Sequence, residues 1–135
     1  MNTPNNTPAG FRLNNPCNLR KDGKLCRFDS MTDGFRAALQ RLEHFHRRDG
    51  LHSVKAMITR WTPDATEQHR KYYVRLVSAA ASVRPGAYVQ DPAICPSPWV
   101  DILVALAQAE NGVETYDPKL LRSWAREAWE RQYEE

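Results

Sequence analysis

The stretch PWVDILVALAQAENG, residues 98–112, decides the fold of this chain. Apart from Asp101, every residue from Trp99 to Ala107 is apolar. Pro98 suits the first turn of a helix, and Asn111-Gly112 is a typical helix end. A helix that is apolar on nearly every side is buried at the centre of a core. We therefore predict a helix from Pro98 to about Glu110, with the other elements packed around it.

Apolar residues at spacings of three and four predict four further helices. Their expected bounds are Ser30 or Thr32 to Gly50, about Ser53 to Arg60, from Asp64 or Thr66 through Ala80, and Pro118 to Tyr133. Residues 83–98 contain four prolines and are expected to form a linker.

The front of the chain has a different character. Residues 1–10 are rich in Asn, Thr and Pro and predict a flexible arm. Residues 11–30 predict a small β-hairpin whose turn contains Asp22-Gly23. The expected fold is mainly α, with this hairpin as a small β element, in one domain over residues 11–135.

Length and composition exclude several classes of protein. With 135 residues and 41% hydrophobic residues, the chain suits one globular domain, not a two-domain enzyme or a disordered protein. No apolar run approaches the roughly 18 residues that a membrane-spanning helix needs. The polar N-terminus does not resemble a secretory signal, so synthesis in the cytoplasm is expected.

The net charge of +3 is unevenly distributed. Residues 1–100 hold 15 Lys and Arg against 8 Asp and Glu, whereas residues 101–135 hold 4 against 8. This split fits either an ordinary solvated surface or a polyanionic partner, such as nucleic acid or the bacterial cell wall. No helix has a basic face long enough to follow a duplex, so we expect no nucleic-acid partner.

Motifs for metals and cofactors are missing from the sequence. The three cysteines, Cys17, Cys26 and Cys95, form no CxxC pair. We expect free, buried thiols, with a Cys17–Cys26 bridge as the alternative in an oxidising compartment. HExxH, GxGxxG and the phosphate-loop pattern do not occur, so neither a metal nor a cofactor is expected.

Glu110 is the most informative chemical candidate. It lies at the carboxyl end of the most apolar helix, where partial burial and the helix dipole both disfavour a charged carboxylate. A carboxyl group that retains its proton is what a general acid for glycosidic cleavage requires. The alternative is a carboxylate in solvent at a frayed helix end.

Three asparagines, Asn14, Asn15 and Asn18, cluster around Pro16. Each amide offers both donors and acceptors, which suits N-acetyl sugars. The alternative is a loop in which these residues only form turns.

Four segments in this order resemble a phage-associated family of small lysozyme-like proteins. They are NNPCNLR (14–20), FDSMTDGFRAALQRL (28–42), the W-x-P of RWTPDATEQHRKYYVRLVS (60–78) and AQAENG (107–112). The resemblance covers about residues 11–116. Soluble lytic transglycosylases and cell-wall glucosaminidases are similar piecewise, but there the catalytic helix ends in E-S-G and comes first. We hypothesise a circularly permuted lysozyme-like fold.

The resemblance implies a role for several residues. Glu110 would be the catalytic acid, and Asn14, Asn15 and Asn18 would line the sugar groove. Further residues implied near the groove are Phe28, Ser30 and Tyr116. A second carboxylate has no obvious place; Asp29 is the best candidate and Asp33 the next. A lone glutamate suits lytic transglycosylation, whereas a carboxylate pair suits hydrolysis.

The expected function is cleavage of the β-1,4 bond between N-acetylmuramic acid and N-acetylglucosamine in peptidoglycan. The alternative is a non-catalytic lysozyme-like protein of a virion or secretion apparatus that binds peptidoglycan. Expected partners are glycan strands together with virion or secretion-system proteins, and the chain is expected to be a monomer. Without a signal peptide, it would reach the cell wall through a virion, a holin or a secretion system.

Overall fold

The computed structural model describes residues 7–112 and 116–134 and is mainly helical, with one small sheet. The elements in chain order are α1 (Ala9–Arg12), β1 (Arg20–Lys21), β2 (Lys24–Leu25), α2 (Met31–Arg47), α3 (Val54–Trp61), α4 (Glu67–Ala81), α5 (Trp99–Asn111) and α6 (Pro118–Tyr133). No helix within the described ranges is both long and apolar enough to cross a bilayer.

Helix α5 is the central element of the core. Its apolar residues from Trp99 to Ala107 are all buried, as the sequence predicts. Helices α4 and α6 pack against it, and α2 packs mainly against α6. The burial of this one helix places its carboxyl end, and therefore Glu110, among elements from the rest of the chain.

Side chains at the starts of α2, α3 and α4 fix where these helices begin. Ser30, Ser53 and Thr66 each accept a hydrogen bond from the backbone N–H three residues later. Such caps satisfy amide groups that have no partner inside the helix. All three starts agree with the predicted ones.

The front of the chain is less extended than predicted. The hairpin turn is at Asp22-Gly23, where both residues have positive φ, but each strand is only two residues long. Ala9 and Gly10 belong to α1, and Gly10 is buried, so the predicted arm extends too far. Residues 1–6 of that arm lie outside the described residues. Phe11 also belongs to α1, where its N–H donates to the carbonyl of Pro8 at 3.0 Å, and is not part of the hairpin.

The cysteines are free, and only Cys17 is fully buried. Cys26 and Cys95 are half-buried, so the prediction of buried thiols is confirmed for one of the three. Burial raises the pKa of the Cys17 thiol well above its usual range, and the negative charge of Glu110 adds to that effect. Cys17 therefore serves as a small apolar residue packed against α5, with its Sγ 3.9 Å from the carbonyl oxygen of Leu103.

Candidate active-site cleft

Glu110 lies in the last turn of α5 and is half-buried. The hydroxyl of Tyr73 donates a hydrogen bond to its Oε1 at 2.6 Å, and the indole Nε1 of Trp61 donates one to its Oε2 at 3.1 Å. Two side chains from two other helices therefore hold one oxygen each. The carboxylate is fixed in position, unlike a group at a frayed helix end.

A cleft of about 470 Å³ opens in front of this carboxylate. The connection between α3 and α4 forms one wall. Other lining residues come from α2, from β1 and from the front loop, which is residues 13–19 between α1 and β1. The lining residues are Asn18, Leu19, Arg20, Arg41, Phe45, Arg60, Trp61, Thr62, Pro63, Asp64, Ala65, His69, Tyr73 and Glu110. A volume of this size suits a small polar ligand such as one or two sugar rings.

The end of α3 places Trp61 beside the carboxylate of Glu110. Trp61 is the last residue of α3, and the hydroxyl of Thr62 donates back to the carbonyl of Ile58 at 2.8 Å. Pro63 then prevents the helix from continuing. Helix α4 begins after Thr66, which places Tyr73 two turns further along, on the buried side.

The front loop is joined directly to the end of α5. The Nδ2 of Asn18 donates to the carbonyl of Glu110 at 3.3 Å, and the Nδ2 of Asn111 donates to the carbonyl of Pro16 at 2.7 Å. Of the three clustered asparagines, Asn18 is the one that lines the cleft. The structure thus brings the NNPxN segment, residues 14–18, next to the E-N-G segment, residues 110–112.

Asn14 and Asn15 build the loop and do not line the cleft. Asn15 is fully buried, and its Nδ2 donates to the carbonyls of Leu19 at 2.8 Å and Cys26 at 3.0 Å. The Nδ2 of Asn14 donates to the carbonyl of Phe28 at 3.2 Å. Both amides therefore satisfy backbone groups of an irregular segment, which is the turn-forming alternative.

The other residues implied by the resemblance lie outside the cleft lining. Phe28 packs half-buried against the core, and Ser30 caps α2. Asp29 is exposed, and the ring of Tyr116 lies edge-on 4.7 Å from Phe11. The structure does not bring any of these four to Glu110. Among the described residues, the other carboxylate that lines the same cleft as Glu110 is Asp64.

Cationic and aromatic side chains from α2 and α3 contact each other in the lining of the cleft. The guanidinium of Arg41 lies 6.0 Å from the ring of Trp61, and that of Arg60 lies 5.8 Å from the ring of Phe45. Arg60 also pairs with Asp49 at 3.1 Å. These contacts hold positive charge beside flat apolar surfaces, an arrangement that suits a polar ligand with anionic substituents.

Electrostatics make Tyr73 a permanent donor to Glu110. Burial raises the pKa of Tyr73 well above its usual range, and the hydrogen bond to Glu110 raises it further. Its hydroxyl therefore keeps its proton at every physiological pH. Each oxygen of Glu110 has a second acceptor direction, so a transferable proton is compatible with both donated bonds.

Sequence reasoning missed the partners of Glu110. Trp61 and Tyr73 belong to the apolar positions at spacings of three and four that predicted α3 and α4, and the sequence assigned them no role at the site. Their N–H and O–H groups were the available signal, because a buried Trp or Tyr usually satisfies its polar atom.

Within residues 7–112 and 116–134, no three potential metal ligands come together. Neither a comparison with protein-family models nor one with curated protein sequences finds a match for this chain.

Proposed function

We propose that this protein cleaves the β-1,4 glycosidic bond of peptidoglycan between N-acetylmuramic acid and N-acetylglucosamine, with Glu110 as the proton donor. The observation that carries the proposal is the fixed carboxylate. Glu110 faces a cleft of about 470 Å³ and is held by both Trp61 and Tyr73. A general acid must be positioned before its chemistry can be efficient.

In the proposed reaction, Glu110 gives its proton to the glycosidic oxygen as the bond to the anomeric carbon breaks. The resulting carboxylate then accepts a proton. In lytic transglycosylation that proton comes from the 6-hydroxyl of the muramic residue, whose oxygen closes a 1,6-anhydro ring. In hydrolysis it comes from water, whose oxygen attacks the anomeric carbon.

Asp64 bears on the choice between these two outcomes. It lines the cleft together with Glu110, whereas Asp29 does not. A second carboxylate in the cleft supports a water-activating step, and a single glutamate supports ring closure. Product analysis separates them: a 1,6-anhydro end identifies a transglycosylase, and a reducing muramic end identifies a muramidase.

The decisive experiment compares lysis of purified sacculi by the wild type, Glu110→Gln and Glu130→Gln. We expect Glu110→Gln to lose activity by about 10²-fold or more, the usual effect of removing a general acid. Glu130→Gln is the matched control, because Glu130 lies on α6 outside the cleft lining. Equal activity of all three proteins would refute the assignment of Glu110.

A second candidate function is peptidoglycan binding without cleavage, by a structural part of a virion or secretion apparatus. The hydrogen bonds from Trp61 and Tyr73 to Glu110 favour it, because they join α3 and α4 to α5 and so give the carboxylate a structural role. Binding of the wild type to sacculi without release of any muropeptide would establish this alternative.

A further inference from the structure

A second groove, of about 560 Å³, runs along α3 and α4 and shares no lining residue with the cleft. It is lined by Lys55, Thr59, Glu67, Arg70, Lys71, Val74, Arg75 and Pro85. The positions on α4 recur at spacings of three and four, so they form one face of that helix.

Positive charge dominates this groove. Of the residues that the structure describes, the groove is lined by four cations, Lys55, Arg70, Lys71 and Arg75, and by one carboxylate, that of Glu67. Glu67 pairs with Lys71 at 3.4 Å, and both side chains are largely exposed. Among the described residues, neither Lys55 nor Arg75 has a carboxylate partner within 4.0 Å. Two cations are therefore available to an anionic ligand.

Backbone contacts fix the groove at both ends. The N–H of Lys55 donates to the carbonyl of Pro85 at 2.8 Å, which ties the start of α3 to the segment after α4. At the other end, Nη2 of Arg70 donates to the carbonyls of Thr62 at 2.9 Å and Ala65 at 3.2 Å. A groove whose backbone is already held in place binds its ligand with a smaller ordering cost.

Arg70 also links the groove to the cleft. Arg70 lines the groove, while the carbonyls to which its guanidinium donates belong to residues of the cleft wall, Thr62 and Ala65. The two sites thus lie on either side of one short connection. A branched polymer whose main chain lies in the cleft therefore has the groove beside it, across residues 62–66.

We propose that the groove binds the carboxylate-bearing stem peptide of peptidoglycan, an inference that rests on the proposed function. The side chain of Val74 and the ring of Pro85 offer apolar contact to aliphatic carbons, while Lys55 and Arg75 attract carboxylates. A duplex of nucleic acid would need a longer track of cations than this groove contains. The protein therefore prefers glycan strands that carry peptides over bare strands.

The first test titrates the full chain with a soluble stem tripeptide, L-alanyl-γ-D-glutamyl-diaminopimelate, followed by NMR. We expect shifts along α3 and α4 and a loss of affinity of about tenfold in Lys55→Glu/Arg75→Glu, since two attractions become repulsions. The control is Arg27→Glu/Lys119→Glu, which makes the same change in charge at exposed residues outside both sites. Its affinity should stay within about twofold of the wild type, a difference well below 1 kcal/mol.

Circular dichroism and a thermal melt first establish that both double variants are folded. Equal peptide affinity in the groove variant and the wild type would overturn the proposal, as would shifts confined to the cleft. Tighter binding of a short DNA duplex to Lys55 and Arg75 would overturn the assignment to peptides.

The second test measures partition of the wild type between intact sacculi and sacculi stripped of peptides by an amidase. The wild type should prefer intact sacculi, and Lys55→Glu/Arg75→Glu should lose that preference. Cleavage of bare strands without peptide binding would overturn the groove proposal alone. Peptide binding without cleavage of any strand would overturn the proposed function alone.

Discussion

The hydroxyl of Tyr73 lies 2.6 Å from Oε1 of Glu110 and donates a hydrogen bond to it. The two residues come from neighbouring helices, α4 and α5, which pack closely against each other. The position of the carboxylate is therefore set by helix packing as well as by its own backbone. Any change that removes the phenolic oxygen should act on Glu110 first.

Tyr73→Phe should lower kcat far more than it raises KM. Glu110 becomes charged as it gives up its proton, and a hydrogen bond to a charged group is worth about 1.5–3 kcal/mol, or about 10–100-fold in rate. The measurement is the initial rate of muropeptide release at several sacculus concentrations. Tyr72→Phe is the matched control, because Tyr72 is exposed and makes no hydrogen bond to Glu110. A Tyr73→Phe enzyme with wild-type kcat would contradict this role.

Asp64→Asn and Asp29→Asn should behave differently. The transition state of glycosidic cleavage carries positive charge, which a carboxylate lining the cleft stabilises. Asp64 lines the cleft and Asp29 does not, although both are exposed. We expect a loss of about tenfold or more in sacculus lysis for Asp64→Asn and wild-type activity for Asp29→Asn. The opposite result would restore Asp29 as the second carboxylate.

The sequence was sufficient for the elements with strong local signals. The apolar residues of α5 can be buried together only in the middle of the core. A carboxylate at the end of such a helix, Glu110, is therefore predictable as a partly buried group. The hairpin turn was predictable because Asp22-Gly23 tolerates positive φ at both positions.

The contacts of Trp61 and Tyr73 with Glu110 could not be predicted from the spacing of residues along the chain. Trp61 and Tyr73 reach Glu110 across 49 and 37 positions of the chain, and their own segments predict only that they are buried. Asn14 and Asn15 show the reverse case. Their amide groups suited a sugar groove. In the structure these amides instead donate to backbone carbonyls of an irregular loop, which have no partner in a helix or a sheet.

Gly34→Ala should destabilise the protein, because the front loop packs directly on α2 at this position. A Cβ at Gly34 would lie 2.1 Å from the carbonyl oxygen of Asn14 and 2.6 Å from the Cδ of Pro16. Overpacking of this kind costs about 1–3 kcal/mol. Urea denaturation measures the free energy of unfolding, and Gly86→Ala is the control, since a Cβ there meets nothing within 4 Å. Equal losses of unfolding free energy in both variants would show that the loop with Asn14 and Pro16 moves to accept the Cβ without destabilising the protein.

Asp91→Asn should flatten the acid dependence of stability. The guanidinium of Arg47 donates two hydrogen bonds to Asp91, at 2.6 and 2.7 Å, and thereby lowers the pKa of this carboxyl to about 2. An unfolded aspartate titrates near 3.9, so the ionised native state contributes stability above about pH 4. That contribution is lost as the pH falls through the folded pKa of about 2.

The check is the free energy of unfolding in urea at intervals from pH 5 to pH 2. The wild type should lose stability more steeply than Asp91→Asn between pH 4 and pH 2. Asp22→Asn, in the exposed hairpin turn, should keep the wild-type slope. Parallel curves for the wild type and Asp91→Asn would show that the pair with Arg47 contributes nothing to acid stability.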